Sequence, residues 1–242
     1  MLDSLRPVIE KSRDVRTNAD RVAEVAGWMA YEALPFPEFT IPFGIGASDA
    51  SEAIDFILIA DSIDTAFPVC FTRDKFPVVS SRRPCSDSEA EVACLKRALD
   101  SGIPRLEGKF LSCISREELD GIFAGNIRMP MLEEKLEVLH QVGAVLAEKY
   151  EGRFHKFIQA CSPRLYDNGT GIIYRLVKAV PRFNDVNIFD DHEIKFYKLA
   201  HVGVWMLYST LHRSGTFRWD GPEKMNAFAD YTVPGVLSLL GC

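Results

Sequence analysis

The 242-residue sequence predicts a mostly α-helical protein with a small β-sheet in its N-terminal third, organised as one domain over residues 1–242. Two patterns carry this prediction. Apolar residues recur at helical spacing over 131–149, directly after Pro130, a residue that suits the start of a helix. Residues 54–60, in contrast, form a short β-branched apolar run, which is typical of a buried strand.

The other helices are predicted from apolar periodicity and from residues that start or stop a helix. A segment over 18–32 ends before Pro35, and a second over 88–99 ends before Gly102. Ser115-Arg-Glu-Glu118 has the form of a capping box that opens a helix through Phe123. Further helices are predicted over 154–160, 171–180 and 192–211, and after Asp230.

The remaining strands are predicted to be few and short. Residues 69–71 and 76–79 would form an antiparallel pair with 72–75 as the turn, and their prolines favour a sheet edge. Residues 186–188 form an extended run. Helices therefore outnumber strands.

Composition and charge exclude several functional classes. A net charge of -6 argues against a stable, sequence-independent grip on nucleic-acid phosphates. The six cysteines contain no C-x-x-C pair and the five histidines have no ligand spacing, so we expect free thiols, no metal and no cofactor. The charged N-terminal segment resembles neither a signal peptide nor a membrane span, so we expect a cytoplasmic protein. The oligomeric state is left open.

The stretch around Asp230 is the strongest candidate for chemistry. Asp230 precedes a short apolar helix, where its carboxylate would either cap the helix or face a cleft with the ring of Tyr231 as one wall. Lys198 lies on a largely apolar helix and would either bind an anionic group or remain a solvated lysine. A carboxylate and a lysine together suit glycosidic cleavage.

Weaker candidates lie at the ends of predicted strands. Asp61 and Asp64 would either point into one pocket or close a turn on their own backbone, and Phe67 would stack on a planar ligand or pack in the core. Phe189 and Asp190 would either contact substrate or belong to an acidic turn that caps the helix predicted from 192. The residues alone therefore predict hydrolysis or binding of a planar ligand.

Five segments, in the same order along the chain, resemble the queuosine salvage family, the queuosine 5'-phosphate N-glycosylases. They are Ala60–Phe67, Arg97–Pro104, Met129–Leu139, Phe196–Ala200 and Phe228–Gly241. The resemblance implies a helical fold similar to that of DNA glycosylases. It also implies hydrolysis of queuosine 5'-monophosphate to ribose 5-phosphate and free queuine, which is salvaged for tRNA modification.

The same resemblance assigns roles to individual residues. It implies catalysis by Asp230, a substrate contact by Tyr231 and binding of the anionic end of the substrate by Lys198. It also implies that Asp61 and Phe67 shape the base pocket. Because a 7-deazaguanine lacks the ring nitrogen at which guanine is readily protonated, the carboxylate would stabilise an oxocarbenium-like sugar and orient water.

Three alternatives remain open. One is a nucleotide-binding protein on the same scaffold with weakened catalysis, which Met206 favours because an acidic residue is expected there. Another is a glycosylase with a shifted nucleoside substrate. The third is a nucleic-acid-binding helical domain, an argument by fold analogy that the acidic net charge opposes.

Overall fold

The computed structural model describes residues 2–33, 49–65, 76–80, 83–103, 106–125, 127–212, 219–221 and 224–242. Within them, α-helices predominate and the strands form two separate two-stranded antiparallel sheets, so the mostly α prediction is confirmed. The helices are α1 (Leu2–Lys11), α2 (Ala19–Tyr31), α3 (Ala50–Ile63), α4 (Asp87–Asp100), α5 (Gly108–Leu111), α6 (Arg116–Ile122), α7 (Leu132–Lys149), α8 (Phe154–Gln159), α9 (Ile172–Ala179), α10 (Lys198–Leu211) and α11 (Thr232–Leu239). The strands are β1 (Pro77–Ser80), β2 (Arg83–Ser86), β3 (Val186–Phe189) and β4 (His192–Lys195).

Helices predicted from amphipathic spacing or from caps are confirmed as α2, α4, α6, α7, α8, α9 and α11, within one or two residues at most ends. The capping box of α6 is complete: Ser115 Oγ accepts from the Glu118 amide at 3.2 Å, and Glu118 Oε2 accepts from the Ser115 amide at 2.8 Å. Local sequence signals therefore determined these elements correctly.

The buried strand predicted over 54–60 is wrong, because this run lies inside helix α3. Asp49 caps the helix, accepting from the Ser51 amide at 2.8 Å. Residues 53–63 are all buried, and α3 packs against α4, α7, α8 and α10. A helix covered on every side lacks a polar face, so its sequence has the same continuous apolar run as a buried strand.

The strand predicted over 76–79 is confirmed in substance as β1, but its partner in the structure is β2. Val78 lies opposite Cys85 in this antiparallel pair. The predicted partner strand 69–71 and its turn 72–75 lie outside the described residues.

The predicted helix over 192–211 is wrong in its first six residues. Strand β4 pairs with β3 there, and α10 begins only at Lys198. Asp190 and Asp191, with φ of 47° and 62°, form the two-residue turn between the strands, so they cap no helix. Positive φ at both positions matches the right-handed twist of a hairpin, and aspartate tolerates it.

Helix α10 lies close to α3 at Gly203. A Cβ atom added at this glycine would lie 2.5 Å from Asp61 Oδ2. This close approach places the last turn of α3 beside the second turn of α10. None of the helices in the described parts of the chain is long and apolar enough to cross a membrane.

Candidate active site

A cleft of about 820 Å³ opens where five segments meet: the end of α3, the start of α4, the 3₁₀ turn Pro181–Phe183 with the residues after it, the start of α10 and the approach to α11. Its lining includes both acidic and basic side chains. The charged and aromatic ones are Asp64, Arg182, Asp185, Lys198, Asp230 and Tyr231. A concave site with convergent charged groups is the usual form of a site for a polar ligand.

Asp230 combines the two roles that the sequence left open. Its Oδ1 accepts from the Thr232 amide at 2.9 Å, so the carboxylate caps the first turn of α11. Its Oδ2 faces the cleft and lies 3.3 Å from Lys198 Nζ. The hydrogen bond from the Thr232 backbone, together with Lys198, lowers the pKa of Asp230. The group is therefore an anion at neutral pH.

Lys198 is the first residue of α10, and it follows Tyr197, whose backbone is left-handed with φ of 53°. Lys198 and the next residue, Leu199, both line the cleft, and Leu199 is buried in its wall. The start of a helix carries a partial positive charge, so the lysine and the first turn of α10 together favour an anionic group. Tyr231 lines the same cleft and is largely exposed.

Asp61 lies behind the cleft wall, and it is not among the lining residues. Among the described residues neither of its carboxylate oxygens has a hydrogen-bond partner. Burial, and then the nearby Asp64, raise its pKa well above the usual value, against the opposing effects of Lys198 and Arg182. Asp61 is therefore a buried acid that favours its neutral form.

Asp64 does line the cleft, so the structure separates the two aspartates that the sequence placed in one pocket. Its Oδ1 accepts from Ser88 Oγ at 2.7 Å. The three-residue spacing of Asp61 and Asp64 is that of a helix, and Asp64 is the C-cap of α3. Asp64 therefore presents a fixed carboxylate at the cleft, one turn beyond the buried one.

Phe189 and Asp190 are not brought to the cleft. Both lie at the turn of the β3–β4 hairpin, and Asp190 forms an ion pair with Lys11 that lowers its pKa. Phe67 lies outside the described residues. Met206 is partly buried and packs against the core, and it is not a lining residue.

Sequence reasoning missed Arg182 and Asp185, which also line the cleft. Arg182 Nε donates to the Ser62 carbonyl at 2.8 Å, which ties the 3₁₀ turn to the end of α3. The only local signal was the polar run Arg182-Phe-Asn-Asp185 between a predicted helix and an extended segment. Across the described segments, no group of three or more His, Cys, Asp or Glu side chains is arranged to hold a metal ion.

Comparison with known proteins adds an independent observation to this geometry. The family model described as queuosine salvage protein matches residues 46–242, a range that contains all the cleft residues named above. The chain belongs to the queuosine salvage protein family. The resemblance seen in the sequence is therefore confirmed.

Relatives in the queuosine salvage family align with nearly the whole chain. A protein of Sphaerobacter thermophilus named queuosine 5'-phosphate N-glycosylase/hydrolase is 31% identical over 242 residues, covering 100% of this chain and 72% of the relative. Proteins of the same name from Mus musculus and Bos taurus are 28% and 26% identical, each covering 99% of this chain and 71% of the relative.

Proposed function

We propose that this protein hydrolyses the N-glycosidic bond of queuosine 5'-phosphate and releases queuine and ribose 5-phosphate. The observation that carries the proposal is the anionic Asp230 beside Lys198 in a polar cleft, in a chain whose relatives carry the corresponding name. Release of queuine would make the base available for tRNA modification.

Asp230 takes the catalytic role. As the bond from C1' to the base breaks, positive charge develops on the sugar, and a fixed carboxylate stabilises it. The oxygen of water then bonds to C1', and its proton is passed on to the departing base. Because the pKa of Asp230 is lowered, the carboxylate is a weak base, so its charge and its orientation of water matter more than proton abstraction.

Lys198 takes the 5'-phosphate, supported by the partial positive charge at the start of α10. An ammonium has three donors, so Lys198 can bind a phosphate oxygen while it stays close to Asp230. Tyr231 offers an exposed ring for contact with the planar base. Asp61 and Phe67 keep the base-pocket roles that the resemblance implies, and Asp61 would act through the wall that it lies behind.

We propose that the only partner is the small nucleotide substrate. A net charge of -6 opposes stable nucleic-acid binding. A single domain over residues 1–242 and a cytoplasmic location belong to the same proposal. The alternative of a weakened binding protein rests on Met206, which is partly buried, packs against the core and is not among the residues that line the cleft.

The direct test is mass-spectrometric detection of free queuine after incubation with queuosine 5'-phosphate, with guanosine 5'-phosphate and unphosphorylated queuosine as comparisons. We expect queuine from queuosine 5'-phosphate, less from queuosine because Lys198 lacks its phosphate, and no guanine. If no base is released while thermal shift still shows nucleotide binding, the protein is a binding homologue and the proposal is wrong.

A further inference from the structure

The last turn of α3 is buried, and cationic side chains satisfy its backbone. The last carbonyls of a helix have no partner within the helix and normally bond to water. Here Ser62 and Ile63 are fully buried, so side chains replace the water. Arg182 bonds to the Ser62 carbonyl, and Lys135 Nζ bonds to the carbonyls of Ile63 at 2.6 Å and Thr65 at 3.3 Å.

Lys135 is itself held by a buried acid. Its side chain is 0% exposed, and its Nζ lies 2.7 Å from Glu91 Oε2, which is 1% exposed. The pair joins α7, which carries Lys135, to α4, which carries Glu91, at the point where α3 ends. Two cations at the carbonyl end of a helix also complement its negative dipole.

Stability alone is a poor explanation for this pair. Removing two charges from water costs energy that their attraction rarely exceeds, and apolar residues of similar size often serve equally well. What apolar residues cannot do is bond the carbonyls of Ile63 and Thr65. Thr65 and its neighbour Asp64 line the cleft, whereas Lys135 and Glu91 do not.

We infer that Lys135 and Glu91 are positioning residues for the cleft: Lys135 fixes the end of α3, and thus the wall formed by Asp64 and Thr65, while Glu91 fixes Lys135. For the reaction that this wall serves, the inference rests on the proposed function. A displacement of about 1 Å in a site can lower the rate by about 100-fold.

The charged and titratable groups that face Glu91 from other elements are Lys135 from α7, Asp61 and Asp64 from the end of α3, and Arg182 from the 3₁₀ turn. Burial is the largest effect and raises the pKa of Glu91 to about 7. The charge of Glu91, which holds Lys135, therefore changes near neutral pH, so the effect of the pair on the cleft should depend on pH.

The test compares Lys135→Met and Glu91→Gln with Asp55→Asn. Asp55 is a matched control because it lies on α3, the helix whose end Lys135 contacts, is as buried as Lys135 and Glu91, and also holds basic side chains, those of Arg153 and His155. It precedes Asp64 by nine residues, about 13 Å along a helix, and is absent from the cleft lining. Glu91→Gln keeps an acceptor for Lys135 but cannot ionise.

We expect kcat/KM for queuosine 5'-phosphate to fall about 10- to 100-fold in Lys135→Met and to stay within about 3-fold of wild type in Asp55→Asn, both assayed well below their melting temperatures. Glu91→Gln should remove the inflection near neutral pH from the profile of kcat/KM. Equal losses in Lys135→Met and Asp55→Asn, or an unchanged Lys135→Met, would overturn the inference. If Lys135→Met does not fold, the double variant K135M/E91L removes both charges and is assayed in its place.

Hydrogen exchange separates this inference from the proposed function, because it needs no turnover. We expect the amides of residues 60–65 to exchange faster in Lys135→Met but not in Asp55→Asn. If the wild type releases no queuine and this exchange difference is still observed, only the proposed function fails. If queuine is released but residues 60–65 exchange alike in both variants, the positioning role fails.

Discussion

Helix α3 carries two buried aspartates, Asp55 and Asp61, whose surroundings differ. Asp55, in its first half, is 0% exposed and accepts bonds from Arg153 Nε, the His155 amide and His155 Nδ1, each at 2.8 Å. Asp61, less than two turns later, is 2% exposed and has no hydrogen-bond partner among the described residues. Residue type, helix and burial are the same at both sites, so only the surroundings differ.

This difference separates a scaffold site from a functional one. A buried carboxylate with three donors stabilises the contact between α3 and the start of α8, whereas a buried carboxyl without partners costs stability. Such a group is expected beside a site where charge is used, and Asp61 lies one turn from the cleft wall, close to Lys198. Whether a buried polar group has hydrogen-bond partners is therefore a better guide to function here than whether it is buried.

The largest expected effect on stability is at Asp55, whose carboxylate has hydrogen-bond partners. Asp55→Ala leaves the Arg153 and His155 side chains without their buried acceptor, so unfolding free energy should fall by about 3–5 kcal/mol. Urea denaturation measures this change. Turnover per folded molecule should stay close to wild type, and a selective loss of turnover would place Asp55 in the catalytic apparatus and break the comparison.

Asp61 has no hydrogen-bond partner among the described residues, so Asp61→Asn should raise the free energy of unfolding. The size of this increase should depend on pH. The folded pKa of Asp61 is raised above the unfolded value, so its relative contribution to stability is full below about pH 4 and is lost as pH rises towards the folded pKa. The variant should therefore gain about 1 kcal/mol over wild type for each pH unit in that window. Melting curves at several pH values provide the measurement, and a pH-independent difference would show that Asp61 is not desolvated.

The third effect concerns the close approach that buries Asp61. Gly203→Ala places a Cβ 2.5 Å from Asp61 Oδ2 and 3.0 Å from Leu58 Cδ2, so unfolding free energy should fall by about 1–3 kcal/mol. Adding Asp61→Ala to this variant should restore part of the loss. Additive effects in this double-mutant cycle would mean that the two residues do not touch.

The sequence allowed much of the helical fold to be predicted, because caps and amphipathic faces are local signals. Ser115 with Glu118 identified α6 at its first residue, and the apolar stripe of α7 identified that helix almost to its ends. Helix α3 was missed because a helix buried on all sides has no polar face to reveal its period. An acidic turn was predicted at Asp190-Asp191, but strand β4 after it was missed, because this turn lacks the glycine that usually marks a hairpin.

Some residues of the candidate site could likewise be predicted from the sequence, and others could not. Asp230, Tyr231 and Lys198 were predicted and do meet in one cleft. Arg182 was not predicted, because its role depends on reaching the Ser62 carbonyl, 120 residues earlier in the chain. Contacts of this range follow from how helices pack, which no local pattern in the sequence records.

The most direct test of the account is single-turnover release of queuine from queuosine 5'-phosphate by the wild type, Asp230→Asn and Asp190→Asn. Asparagine at 230 can still accept from the Thr232 amide, so the start of α11 is kept while the charge is lost. Asp190, paired with Lys11 at the hairpin turn, provides an acidic control away from the cleft.

We expect Asp230→Asn to slow release by about 100- to 1,000-fold, with a melting temperature close to that of the wild type. Asp190→Asn should release queuine at the wild-type rate. Wild-type release by Asp230→Asn, or an equal loss in both variants, would contradict the assignment of catalysis to Asp230.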